Sequence, residues 1–145
     1  MSYGVPDDVA ALARVWSDNG HWVDPVEDYD IRGTNPTLTT VTTWLTNISA
    51  QMDIALGTSW IVTPVDQTTS PKAYAAISQY VCSLVADLAH LANGVDRVVS
   101  PQGKIMKDMT AWVADNADGL LADALTQKPT PSIKNQASFR VIGYP

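Results

Sequence analysis

The sequence predicts an all-α fold: a small bundle of about four helices over residues 1–127, with long connections, followed by an extended C-terminal arm over 128–145. Three observations predict it. Apolar residues recur at three- and four-residue spacing through 35–57, 71–93 and 101–113, the period of a helix face and not of a strand. A capping residue followed by proline opens each of those stretches, at Asn35-Pro36, Ser70-Pro71 and Ser100-Pro101, and that order is a helix start. A hydrophobic fraction of 46% and a charged fraction of 17% over 145 residues supply one core without staples, burying about two-thirds of the unfolded surface.

The first helix is expected over 6–16, with Pro6, Asp7 and Asp8 in its first turn, Val9, Leu12, Ala13 and Trp16 on one face, and Asn19-Gly20 as its end. Residues 21–33 hold Pro25, Gly33 and the acids Asp24, Glu27, Asp28 and Asp30, with Asp18 at the edge. They read as an irregular, solvated connection.

The second helix, 35–57, organises the chain. Leu38, Val41, Trp44, Leu45, Ile48, Met52 and Leu56 fall within an arc of about 120° when wound at 100° per residue. Six threonines between Thr37 and Thr46 argue for a strand and would cost a helix about 3 to 4 kcal/mol relative to alanine. Burying four of the seven apolar groups at about 1.5 to 3 kcal/mol each outweighs that. The expected cap is Asn35, the expected first helical residue Pro36, and the expected stop Gly57.

Trp60, Ile61, Val62 and Val65 make the next connection too apolar to be left in water. The third helix runs from Ser70-Pro71 to Asn93-Gly94, with Tyr74, Ile77, Val81, Leu84, Val85, Leu88 and Leu91 as a stripe that Ala73, Ala76, Tyr80 and Ala92 widen. A face that broad is buried on several sides, at the centre of a bundle or against another subunit. Ser78, Gln79, Ser83 and His90 interrupt it too often for a membrane span. The fourth helix starts at Ser100-Pro101, carries Ile105, Met106, Met109, Trp112 and Val113 on one face, and is expected to break at Asp118-Gly119 before Leu120, Leu121, Ala124 and Leu125.

The chemistry offered is sparse. His21 and His90 form no H-x-x-x-H pair, and Cys82 is one cysteine, so a buried structural thiol and a partly exposed histidine are expected, with no disulfide and no transition-metal site. The acids of 24–30 offer oxygens to a hard cation but lack the D-x-[DN]-x-[DN]-G spacing. No phosphate-binding glycine loop and no nucleophile elbow is present, so neither catalysis nor a cofactor is expected. The N-terminus lacks the basic region and apolar run of a signal peptide; a soluble protein is expected.

Charge is uneven within a net −6. Residues 1–125 hold all fifteen acids and six of nine bases, whereas the last twenty hold Lys128, Lys134 and Arg140 and no acid. An acidic body is not a nucleic-acid binder. Trp16, Trp44 and Trp112 sit at stripe positions and are expected in the core. Trp22 and Trp60 lie in connections, where a large aromatic is either core or an interface anchor. With Ile54, which points off its helix's stripe, and Tyr80, they are candidates for a subunit interface. The arm combines a Pro-rich spacer with Ile133, Lys134, Phe139, Arg140, Val141, Ile142 and Tyr144, a positively biased, β-prone segment suited to docking on a partner or folding back onto its own bundle.

The order of these elements is distinctive: Val5, Pro6, Asp7, Asp8 and Val9 through Leu12 to Trp16; the acidic connection; Pro36, Thr37, Leu38, Val41, Leu45 and Ser49 in a P-T-L-x-x-V-x-x-x-L-x-x-x-S pattern; Pro64-Val65; then a long Ala-rich helix. Over about residues 5–95 it resembles the head-to-tail connector (adaptor, head-completion) proteins of tailed bacteriophages. That resemblance implies a helical bundle assembling into a ring, commonly of twelve copies, beneath the portal protein in the virion neck. It implies partners in the portal, in neighbouring copies and in a neck, stopper or tail protein, with DNA passing through the channel without specific binding, and a C-terminal arm, here Ile133 to Tyr144, gripping the portal. The alternative of another class is a non-catalytic helical protein-binding or regulatory module.

Overall fold

The structure is a computed structural model that describes residues 2–94 and 102–127, the side chains of 102–107 excepted. Ser100-Pro101 and the whole arm, from Ile133 and Lys134 to Phe139, Arg140, Val141, Ile142 and Tyr144, lie outside the described residues. Four helices form the bundle: α1 (Pro6–Leu12), α2 (Leu38–Gly57), α3 (Pro71–Ala92) and α4 (Gln102–Leu121). Among the described residues, β structure is confined to isolated bridges at Asp18 with His21, Val26 with Ile31, and Ile61 with Thr126. The all-α expectation holds.

α2 is the helix its periodicity predicts. Val41, Leu45, Ile48, Met52 and Leu56 are buried, while Leu38 at the open end is exposed and Trp44 is half-buried against the core. Thr42, Thr43 and Thr46 donate their hydroxyls to the carbonyls of Leu38, Thr39 and Thr42 at 2.8 to 3.0 Å. The threonines thus satisfy themselves on the helix instead of competing for a strand ladder. α3 is the central helix, packed on α1, α2 and α4, with Ala73, Ile77, Val81, Val85 and Ala89 buried. By length and apolar content it is the candidate membrane span among the described residues, and its Ile77, Val81 and Val85 side chains are fully buried within the bundle.

Helix ends depart from the local reading. α2 starts at Leu38, not Pro36. Thr37 is its N-cap, accepting from the Thr40 N–H at 3.2 Å, and Asp24 reaches in from the acidic connection to accept from the Thr39 N–H at 2.8 Å and its hydroxyl at 2.7 Å. Asn35 is engaged elsewhere: its backbone carbonyl accepts from Asn93 at 2.7 Å, joining the start of α2 to the end of α3. α3 has Pro71 in its first turn as expected, but Ser70 gives it no side-chain cap. The cap comes from Asp123, whose Oδ2 accepts from the Lys72 and Ala73 N–H groups at 2.9 and 3.0 Å.

α1 is shorter than expected. It stops at Leu12, because Ala13 leaves helical geometry at φ −131°, and a 3₁₀ turn over Arg14–Trp16 carries the Trp16 indole to the Nδ1 of His90 at 2.9 Å. His90, expected to be partly exposed, is buried under that contact. α4 runs through Asp118-Gly119 to Leu121 instead of breaking there. Leu120 and Ala124 are both buried and joined by a 2.8 Å backbone bond, so packing beyond the glycine holds the turn that its backbone freedom would release.

Candidate functional site

Two surface features and one buried anchor stand out. The first feature begins where α2 ends. The Trp60 N–H donates to the Gly57 carbonyl at 3.1 Å and the Ile61 N–H to Leu56 at 3.3 Å, the bond pair of a Schellman cap. That motif needs a left-handed residue at its turn, and Trp60 occupies it at φ +61°; the expected stop, Gly57, is still helical. The turn sends Ile61 into the core and leaves Trp60 49% exposed. Val62 donates to the Leu125 carbonyl at 2.9 Å and Gln127 to the Trp60 carbonyl at 2.8 Å. Exposed Val62 and the 58% exposed Leu125 therefore lie beside Trp60 where the chain passes into 128–145.

The remaining interface candidates separate. Ile54, one turn before the end of α2, is 65% exposed. Tyr80 lies at the α3/α4 seam, stacked on Trp112 with ring centroids 4.5 Å apart and planes 9° from parallel; burial raises its phenol pKa. Ile54 and Tyr80 thus stand on different helices, the first exposed and the second stacked at a seam. Trp22 is no interface residue in this chain. It is 3% exposed, and its indole N–H donates to the Pro6 carbonyl at 3.0 Å, so the ring fills the core beneath the start of α1. Trp16, Trp44 and Trp112 pack half-buried against the core.

The second feature is a groove of about 450 Å³ between α1 and α3. Leu12, Pro71, Tyr74, Ala75 and Cys82 line it, and Asp8 is the one charged side chain in its wall. Cys82 is buried as expected. Burial, reinforced by Asp8, pushes its thiol up to about 11, so it is a poor nucleophile at neutral pH. The acids of 24–30 gather no cation site: Asp24 caps α2, its carboxyl held below the usual range by the Thr39 N–H and hydroxyl. Among the described residues no cluster of three His, Cys, Asp or Glu side chains is placed to hold a metal.

The buried anchor is Tyr3, which sequence periodicity missed because it precedes the first helix. Its N–H donates to Ser49 Oγ at 2.9 Å, its hydroxyl donates to Asp53, and the Val65 N–H donates to that hydroxyl at 3.0 Å. One side chain ties the N-terminus, α2 and the connection after α2 together. Gly4 follows at φ +90°, where a Cβ would lie 2.6 Å from Cys82 Sγ, so this close approach requires glycine. The one available signal was Tyr3-Gly4 itself, an aromatic and a turn residue ahead of Pro6.

No family model, no curated protein and no solved structure matches this chain.

Proposed function

We propose that this chain is a structural virion protein, a head-to-tail adaptor that forms a ring below the portal, extends the DNA channel and joins the head to the neck or tail, with its work done by interfaces and not by catalysis. The observation that carries the reading is Trp60. A large aromatic is kept half in water on a left-handed backbone, a conformation that costs a non-glycine residue about 1 to 3 kcal/mol, next to exposed Val62 and Leu125. Fold stability alone gives no reason to put tryptophan there, whereas exposed aromatics of this kind anchor protein interfaces.

Two further points support it. The motifs that resemble the connector family fall on consecutive elements: Pro6 to Leu12 is α1, and Leu38, Val41, Leu45 and Ser49 lie on α2. An acidic body also suits a channel through which DNA slides, since like charge opposes phosphate binding. Electron microscopy of the protein mixed with portal-bearing particles from the same source tests the reading. Ring density at the portal vertex is expected, and truncation after Gln127 should abolish it while the helical circular dichroism signal persists. Density at the tail alone moves the protein to tail completion. No added density returns it to the helical protein-binding or regulatory module.

A further inference from the structure

We propose that two copies of this chain pair through the outer faces of α1, packed antiparallel, each copy laying Leu12 and Val15 into the groove between α1 and α3 of the other. This goes beyond the adaptor reading and stands without it: a ring is closed by unlike faces meeting head to tail, whereas this contact joins like faces of two free copies.

The α1 segment is apolar on both sides. Its inner side buries Val9, Ala10 and Ala13, as core packing requires. Its outer side turns Ala11, Leu12 and then Val15 to solvent, with Val5 exposed ahead of the helix; Leu12 is 47% and Val15 75% exposed. Exposed apolar residues scattered singly are ordinary. These adjoin the 450 Å³ groove, in which Ala11 and Leu12 face Pro71, Tyr74 and Ala75, so helix face and groove form one continuous apolar surface of the kind that marks a contact site. Ala11 stands in the middle of it, and a side chain that small lets another helix approach closely.

Charge selects a second copy as the occupant. Asp7 and Asp8 stand in the first turn of α1 and Arg14 just past its end, all three exposed. Among the described residues the Arg14 guanidinium has no ion pair, while Asp7 Oδ1 lies 3.1 Å from His21 Nδ1 and its carboxylate keeps capacity for further donors. Parallel pairing would set acid against acid. Antiparallel pairing about the level of Ala10 and Ala11 sets Arg14 of each copy beside Asp7 of the other, since the two residues lie about 5 Å along the helix on either side of that level. The same operation brings Val15 of each copy beside Val5 of the other and the two Leu12 side chains together near the axis. Every contact is made twice from one self-complementary face, and an unrelated partner gives no reason for an acid and a base to be spaced evenly about one point. One short helix and one groove wall offer less than the roughly 800 Å² per partner of a stable complex, which makes the pair weak and concentration-dependent.

Sedimentation equilibrium of the full chain over about a hundredfold range of concentration tests this. The expected mass rises from one copy to two. Arg14→Asp and Asp7→Arg should each weaken the dimer about tenfold, because one reversal alters the contact twice, and the double exchange should return it to within about threefold of the parent. Val15→Ser should weaken it with no change of charge, by removing apolar cover. These positions are exposed, and circular dichroism melts check that each variant stays folded. A chain that is monomeric at every concentration, a mass that passes two copies, a dimer indifferent to the reversals, or an exchange that fails to restore it overturns the proposal. None of these outcomes decides ring density at the portal, so the two readings fail separately.

Discussion

Replacing Tyr3 by phenylalanine keeps the ring in the core and removes one oxygen, so it isolates what the hydroxyl does. The Val65 N–H loses its acceptor in a buried setting, at about 1 to 3 kcal/mol for a stranded donor. Asp53 loses a donor too, but its side chain is only half-buried and water replaces part of that bond. The expected loss is about 2 to 3 kcal/mol, or about 10 °C in melting temperature for a domain of this size. Chemical and thermal denaturation followed by circular dichroism read both. A second signature comes from pH. Burial, then the bond to Asp53, raises the Tyr3 pKa above its ordinary 10.0, so the neutral phenol is favoured in the folded state. Stability from this group is present in full below about pH 10 and is lost as pH climbs towards the raised folded value. The phenylalanine variant lacks that share of the alkaline loss, while the share from Cys82, raised from 9.0 to about 11, is common to both proteins. A variant within about 0.5 kcal/mol of the parent, or one with the same alkaline slope, would refute the anchor.

Three other outcomes follow from the helix ends. Asp24→Asn should lower the melting temperature at neutral pH; because its folded pKa is depressed below 3.8, that stability is present above the unfolded value, and the gap should close as pH falls through the lower, folded value. Trp60→Gly should be more stable than Trp60→Ala by about 1 to 2 kcal/mol in denaturant melts, the reverse of their order inside a helix, because only alanine carries the left-handed cost. Gly119→Ala should stabilise by about 0.5 to 1 kcal/mol, since the glycine is helical with nothing within 4 Å of an added Cβ; a loss on calorimetry would mean the turn there needs glycine.

The parts of the fold that were legible rest on short-range pattern. The α2 core of Val41, Leu45, Ile48, Met52 and Leu56 could be read from spacing despite the threonines, because burial of that face outweighs their propensity. The central position of α3 could be read from the breadth of its apolar face. What escaped depends on partners distant in the chain. Asp24 caps α2 from 15 residues away, Asp123 caps α3 from 50, and Tyr3 reaches Val65 across 62; no local rule connects those positions. His90 was misjudged for the same reason, its burial being set by Trp16 across 74 residues. Trp60 was open between core and surface because the left-handed turn that exposes it is occupied by a residue type that rarely adopts it.

The turn at Trp60 carries a cost that the fold alone does not explain. The Schellman cap must re-aim the chain so that Ile61 enters the core and Val62 pairs with Leu125, and glycine would do so without left-handed strain. Tryptophan offsets the strain only through the half of its surface it buries at home. The rest of its contact area is realised when something covers it, which is how a strained residue at a binding surface differs from a fault in the fold. Because the Trp60 carbonyl also holds Gln127, a partner seated on this indole would press on the point from which 128–145 depart.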